Sequence, residues 1–121
     1  MTAKLVVPRR AAERDVDAAI DFYLREAGSA FALAFVDALE AAYQAIAEHP
    51  GAGSPRFAHE LNLPGLRSWA PGKFPYRIFY LERADHLDVW RVLDGRRDLP
   101  AWLGDAGEEC GDRTNAQAQK A

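Results

Sequence analysis

The chain has 121 residues, a net charge of −3 and a single cysteine, Cys110. A chain of this length can bury roughly 65% of its unfolded surface in one domain, so it needs no metal, cofactor or disulfide to fold. The negative charge argues against binding nucleic acid through bulk charge. Without an uninterrupted apolar run of about 20 residues, the sequence favours a cytoplasmic protein with no membrane segment.

The charge is divided along the chain. Residues 1–10 carry +3, and residues 11–49 carry −6 from two arginines against eight acidic residues. Residues 50–103 carry +2 and residues 104–121 carry −2. An ordinary solvated surface explains an acidic first half and a mildly basic second half as well as an interaction surface does.

The first half predicts a strand followed by two helices. Lys4–Val7 is a short strand ended by Pro8, at which a helix is expected to begin. Two apolar stripes at helical spacing follow, formed by Val16, Ala19, Ile20, Tyr23 and Leu24 and then by Phe31, Phe35, Leu39, Tyr43 and Ile46. Gly28 can adopt the backbone that ends the first helix, and Ser29 can cap the second. Because the connection is short, the helices form an antiparallel hairpin that covers one sheet face.

The second half predicts a loop and three antiparallel strands. Gly51–Pro64 shows no period and is interpreted as a loop. Leu66–Ala70, Tyr76–Arg83 and Leu87–Leu93 are rich in aromatic and β-branched residues and are separated by turn residues. Strict alternation along the last strand would oppose Leu87, Val89, Arg91 and Leu93 to Asp88, Trp90 and Val92. Both faces would then be largely apolar, so the second face should meet the Leu99–Leu103 segment, a partner protein, or both.

The local motifs resemble the RelE/ParE superfamily of bacterial toxins, and they are most similar to the ParE branch. The resemblance spans about residues 3–103 in the family's order. It rests on Ala47–Pro50 (AEHP), Pro64–Ser68 (PGLRS), Tyr76–Tyr80 (YRIFY) and Arg91–Leu99 (RVLDGRRDL). It implies an α+β fold of order β-α-α-β-β-β, in which an N-terminal αα-hairpin packs on a mostly antiparallel sheet and a short helical segment follows. Residues 1–103 would form this domain, and residues 104–121 a polar, disordered tail.

The superfamily contains nucleases that cut messenger RNA on the ribosome and ParE-like inhibitors of DNA gyrase that are not enzymes. In the nucleases, as the resemblance implies, two lysines, several arginines and a C-terminal tyrosine or histidine surround the phosphate. Aligned through Tyr76–Arg77, those lysine positions fall near Ser68 and Ala70, and the tyrosine position near Trp102 or Leu103. None of these side chains supplies the proton transfer, worth on the order of a hundredfold to ten-thousandfold in rate. We therefore predict a protein that is not an enzyme and has no catalytic residues.

The predicted role is that of a type II toxin with two protein partners. The resemblance implies a ParD-like antitoxin that neutralises the chain, and DNA gyrase as the target, with no cofactor, no metal and no sequence-specific nucleic-acid binding. The groove between the hairpin and the sheet is the expected antitoxin site. The candidate residues for binding antitoxin or target are Arg67, Arg77, Arg91, Arg96, Arg97, Trp90 and Trp102.

Other interpretations of the same residues stay open. Arg77 could pair with Asp88 or Asp94 across the sheet, Arg96–Asp98 could be only a turn, and tryptophans are more often core than stacking residues. The alternative function is a RelE-like ribosome-dependent endonuclease that uses Arg67, Arg77, Arg96 and Arg97. A third possibility is a binding module that has lost its toxicity.

Overall fold

The computed structural model describes residues 3–60 and 62–95, which form a helical hairpin followed by a mostly antiparallel sheet. Strand β1 (Leu5–Pro8) leads into helices α1 (Arg10–Glu26) and α2 (Ser29–Glu48). A 3₁₀ turn (Pro50–Ala52) and a short helix α3 (Arg56–Glu60) precede strands β2 (Arg67–Trp69), β3 (Tyr76–Glu82) and β4 (His86–Asp94). The predicted α+β order is confirmed, whereas the calls on Arg96, Arg97, Trp102, the C-terminal helical segment and residues 104–121 lie outside the described residues.

The sheet has the order β1-β4-β3-β2. Strand β1 pairs with β4 in parallel, while β2–β3 and β3–β4 are antiparallel. A chain that returns through a helical hairpin can place its first strand parallel to its last, because a parallel connection needs a crossover of a dozen or more residues. The N-terminal strand therefore lies at one edge of the sheet.

Most of the core lies between the hairpin and one face of the sheet, the helix face. Leu39 and Ile46 of α2 pack here with Ile78, Tyr80 and Val89. A second cluster near the α1–α2 turn joins Ala19, Tyr23, Ala32 and Phe35, with Phe74 and Tyr76 packed against it. The described residues of this interface form a packed core, and the antitoxin groove between hairpin and sheet stays a prediction.

The opposite, outer face of the sheet carries its own apolar layer. Phe79, Leu81, Trp90 and Leu93 lie here with Phe57 and Leu66. The prediction of a featureless loop over 51–64 is wrong, because α3 brings Phe57 to within 5.4 Å of the Phe79 ring, centroid to centroid. Phe57 therefore covers part of the outer face, which is the second face of the sheet.

Strand β4 departs from the predicted alternation. Phe79 pairs with Arg91 whereas Tyr80 pairs with Val89, so Trp90 is an extra residue in β4. Such a bulge changes the side to which the following residues point. Leu93 therefore lies on the outer face with Trp90, and not with Val89 as strict alternation would have it.

Two details of the helix ends also differ from expectation. Pro8 belongs to the strand, and α1 begins at Arg10. Gly28 has the positive φ (94°) that favours glycine, but it is itself the N-cap of α2, and no side chain caps that helix. Ser29 is the first helical residue and not the cap.

Helix α2 is the one helix among residues 3–60 and 62–95 that is long and apolar enough, by length and composition, to cross a membrane. Its most apolar window has a mean hydropathy of 1.4 and is 33% buried within the fold. The helix packs on the sheet through Phe35, Leu39 and Ile46, and it exposes Asp37 and Glu40. This one-sided pattern is also that of a core helix in a soluble domain.

Candidate functional site

The four predicted binding residues that the structure describes do not form one surface. Arg77 and Trp90 belong to the outer face, since Arg77 alternates with Ile78 in β3 and Trp90 packs with Phe79. Arg67 pairs with Tyr80 in the register of β2 and β3, and Arg91 reaches α1. The sheet therefore places Arg67 on the helix face and Arg77 on the outer face, while Arg91 is bonded to Asp15 of α1.

Arg77 is held by a serine and not by an aspartate. Its Nε and Nη2 atoms donate to Ser68 Oγ at 3.2 and 3.0 Å. The alternative pairing with Asp88 is wrong, because Asp88 accepts bonds from Arg9 and Arg83. Ser68 is 1% exposed, so its hydroxyl is closed off behind the half-buried Arg77 guanidinium.

Arg67 fixes the backbone at the end of the α2–α3 connection. Its Nη1 donates to the Gly53 carbonyl at 2.8 Å. The Gly53 N–H donates to the Tyr80 hydroxyl at 3.1 Å, and that hydroxyl donates to the Pro50 carbonyl at 2.7 Å. Burial raises the pKa of Tyr80 despite the Gly53 bond and the nearby Arg67, both of which act in the opposite direction. Arg67 therefore has an internal role.

Arg91 has an internal partner as well. Its Nε and Nη2 donate to the two carboxylate oxygens of Asp15 at 2.7 and 2.8 Å, and the Val92 N–H donates to the same carboxylate at 3.0 Å. The two side chains are only 9% and 12% exposed. This bidentate pair fastens α1 to the bulge of β4, and it disfavours Arg91 as a contact for a partner.

An ion-pair cluster around Asp88 was not predicted from the sequence. Arg9 donates from Nε and Nη2 to the Asp88 oxygens, both at 2.9 Å, and Arg83 Nη2 lies 2.9 Å from Oδ2. Burial alone would raise the pKa of Asp88, but the hydrogen bonds from Arg9 and Arg83 outweigh it and hold the pKa below its usual range. The cluster depends on the parallel pairing of Val7 with Asp88, which brings Arg9 beside β4 and which no local sequence pattern signals.

Trp90 lies under this cluster. The Arg9 guanidinium carbon is 4.4 Å from the centre of the Trp90 ring, which is cation–π geometry, and Trp90 is 8% exposed. Its indole Nε1 is buried without a hydrogen-bond partner in the described part of the chain. Trp90 is therefore a core residue covered by an arginine and not an exposed stacking platform.

The described side chains offer little for catalysis. In residues 3–60 and 62–95 no group of three or more histidine, cysteine or acidic side chains could hold a metal ion. Ser68 is buried and bonded to Arg77, and Ala70 is exposed without a polar group. His86 contacts Asp85 at 2.7 Å in the turn between β3 and β4, on the exposed side of the molecule. This arrangement suits binding better than proton transfer.

Comparisons with known proteins identify a family. A model of the family described as "ParE toxin of type II toxin–antitoxin system, parDE" matches residues 6–99. No curated protein matches the chain. Among solved structures, a chain of the chromosomal ParDE toxin–antitoxin system from P. aeruginosa aligns with a TM-score of 0.64 and 21% identity. The alignment covers 76% of the present chain and 96% of the other, so the likeness concerns the fold.

Proposed function

The chain belongs to the ParE family of toxins from type II toxin–antitoxin systems, and on that premise we propose that it inhibits DNA gyrase by binding and is neutralised by a ParD-like antitoxin. The family match over residues 6–99 carries this proposal. Both partners are cytoplasmic, so the chain acts in the cytoplasm.

The environment of Arg77 supports action by binding and not by catalysis. A general base that attacks RNA would have to lie within hydrogen-bond reach of the reacting hydroxyl. The side chain bonded to Arg77 is Ser68, which is buried and does not titrate at physiological pH. Membership of a family that acts by binding agrees with this geometry.

A supercoiling assay tests the target. Purified toxin is added to gyrase and relaxed plasmid, and in parallel to a translation reaction whose message is examined by primer extension. We expect loss of supercoiling without new RNA ends. Codon-linked cuts in the message with unchanged supercoiling would instead identify a ribosome-dependent nuclease, and the absence of growth arrest on expression without antitoxin would identify a chain that has lost toxicity.

Arg77 is the described residue that we propose for contact with the target. It is half-buried, and its described bonds go to a neutral hydroxyl, which leaves its positive charge uncompensated by that partner. We expect Arg77→Ala to weaken gyrase inhibition about tenfold or more, as loss of an interface arginine does. Arg67→Ala is the comparison: it removes the same charge from the helix face and should lower stability more than inhibition. Arg96, Arg97 and Trp102 are proposed as further contacts on the resemblance alone.

The antitoxin is expected to use the acidic side of the molecule. Helix α2 carries Asp37, Glu40 and Glu48 and no lysine or arginine. A basic antitoxin segment would gain from these charges, and complex formation should weaken as salt rises. Mixing purified toxin with the antitoxin encoded beside it, followed by size-exclusion chromatography at two salt concentrations, tests the pairing.

A further inference from the structure

Arg77 carries a positive charge that no carboxylate neutralises in the described part of the chain. Its Nε and Nη2 atoms donate to Ser68 Oγ at 3.2 and 3.0 Å, and the hydroxyl is neutral. Arg9 and Arg83 differ in this respect, because both are bonded to Asp88. Since Arg77 is half-buried, water screens its charge less than that of a fully exposed side chain. Such a guanidinium is suited to bind an anionic group from outside the chain.

Ser68 fixes the head of the Arg77 side chain. Ser68 is 1% exposed and lies in β2, which pairs with β3 on one side. On the other side its N–H and carbonyl are both bonded to Ser54, each at 2.9 Å. The Ser68 backbone is therefore held from two sides, and its hydroxyl is a fixed acceptor for the two N–H groups of Arg77. A long side chain that is ordered before binding loses less conformational entropy when a partner arrives.

The stem of the same side chain lies against the turn that follows β4. The Gly95 N–H donates to the Pro75 carbonyl at 2.7 Å, which joins this turn to the start of β3. A Cβ added at Gly95 would lie 3.4 Å from Arg77 Cγ and 3.5 Å from Cδ, so little space remains between the stem and the turn. Arg77 is thus held at its stem by packing and at its head by hydrogen bonds.

The bonds to Ser68 leave one edge of the guanidinium for a ligand. Arginine has five N–H donors in a planar fork, and neighbouring donors point in parallel directions. The edge between Nε and Nη2 is used on Ser68 Oγ. The edge between Nη1 and Nη2 provides two further parallel donors. A carboxylate or a phosphate has two oxygens that can accept both of these bonds.

The surroundings of Arg77 favour a carboxylate over the phosphates of a nucleic acid. A polynucleotide presents a row of charges and is usually bound by several cations on a domain with a basic excess, whereas this chain has a net charge of −3. Arg77 is paired across the sheet with Leu93, and Phe79 follows it on the same face. A guanidinium beside large apolar side chains is typical of protein–protein interfaces, in which arginine and aromatic residues are enriched.

We propose that Ser68 is a positioning residue for Arg77, and that the Nη1–Nη2 edge of Arg77 receives an aspartate or glutamate side chain of the target protein. The inference rests on the proposed function in one respect, which is that the target is DNA gyrase. Ser68 acts through Arg77 and does not itself contact the target, because it is buried. The register that buries Ser68 beside β3 thus also orients the binding arginine.

A double-variant cycle tests the positioning role. Ser68→Ala, Arg77→Ala and the double variant are compared with the wild type in the supercoiling assay, and the thermal midpoint of each is recorded. Ser54→Ala is the matched control, because Ser54 belongs to the same bridge but its hydroxyl accepts the Arg56 N–H at 3.2 Å. We expect Ser68→Ala to weaken inhibition about fivefold, since the arginine side chain regains its rotamer freedom. Ser54→Ala should stay within about twofold of the wild type.

The double variant separates positioning from a purely structural role. If Ser68 acts through Arg77, Ser68→Ala should have no further effect on inhibition in the Arg77→Ala background, so the two losses are not additive. Additive losses, or equal inhibition by Ser68→Ala and Ser54→Ala, would overturn the positioning role. Arg77→Lys keeps the charge but lacks the planar fork, and we expect it to weaken inhibition about fivefold. Full inhibition by Arg77→Lys would overturn the two-point bond to a carboxylate.

NMR of the arginine side-chain nitrogens in the free toxin separates this inference from the choice of target. The Arg77 Nε–H should exchange slowly with water in the wild type and rapidly in Ser68→Ala. At low salt, a glutamate hexapeptide should shift the Arg77 signals more than a thymidine hexanucleotide does, and the shift should be smaller in Ser68→Ala. If the toxin does not inhibit gyrase, the proposed target fails, while these titrations still decide the chemistry of Arg77. No response to the peptide, or an equal or larger response to the oligonucleotide, would overturn the carboxylate assignment.

Discussion

Replacing Asp15 by alanine tests whether Arg91 is an internal residue. The carboxylate accepts bonds of 2.7 and 2.8 Å from Arg91 and one of 3.0 Å from the Val92 N–H, and both side chains are nearly buried. Removing one partner of a buried pair costs about 3–5 kcal/mol, because the remaining charge loses its compensation. We expect Asp15→Ala to lower the free energy of unfolding by that amount, or the melting temperature by roughly 10–20 °C.

The double variant Asp15→Asn/Arg91→Met separates stability from binding. Asparagine keeps an acceptor for the Val92 N–H, and methionine replaces the guanidinium with an unbranched apolar chain that is shorter but flexible. Because buried pairs contribute little beyond what apolar residues supply, the double variant should unfold within about 2 kcal/mol of the wild type. Denaturant unfolding and the supercoiling assay are then run on the same preparation.

Two results would refute this reasoning. A loss of under about 1 kcal/mol in Asp15→Ala would mean that water screens the pair in solution. A folded double variant that no longer inhibits gyrase would mean that Arg91 contacts the target after all.

Three further predictions concern single side chains. Gly53→Ala should cost about 1–3 kcal/mol, because its Cβ would meet the Tyr80 hydroxyl, whereas Gly51→Ala, with open space around it, should be nearly neutral by urea unfolding. The pKa of Asp88 is lower in the folded state, so its contribution to stability is complete above the unfolded pKa near 3.9 and is lost as pH falls through the folded value. Asp88→Asn should therefore reduce the loss of stability at acid pH. An unchanged acid dependence of the unfolding free energy would contradict the role of the pair. Burial first, and then Asp15 and Glu13, raise the pKa of Tyr43 to about 12, so its phenolate should appear in ultraviolet titration only near that pH. Because the folded pKa is the higher one, stability is complete below pH 10 and declines as pH rises towards 12.

The helical hairpin and the meander could be predicted because their signals are local. Phe35, Leu39 and Ile46 recur at helical spacing and are buried in α2, and Ile78 and Tyr80 alternate with Phe79 and Leu81 in β3. Such periods determine which face of an element is buried without reference to the rest of the chain. The order and type of these elements therefore followed from the sequence.

The bulge and the ion pairs could not be predicted in the same way. Trp90 carries no local sign that it is an extra residue, since Leu87–Leu93 reads equally well as a regular strand. Arg91 is bonded to Asp15, and Asp88 to Arg9 as well as to the nearby Arg83; Asp15 and Arg9 are more than 70 positions from their partners. Hydrogen-bond partners at that separation depend on the register between strands and on the docking of α1, neither of which a local pattern specifies.

Strand β1 lies beside β4, so a strand from the beginning of the described chain pairs with His86–Val89 near its end. During translation, the β1–β4 pair can form only after Leu87 has been synthesised, because Leu87 is the partner of Val6. Contacts between residues so distant in sequence close late and slowly, because a long loop must be ordered first. A toxin with this topology should stay inactive through most of its own translation, and a nascent chain stopped before residue 86 should be both unfolded and harmless.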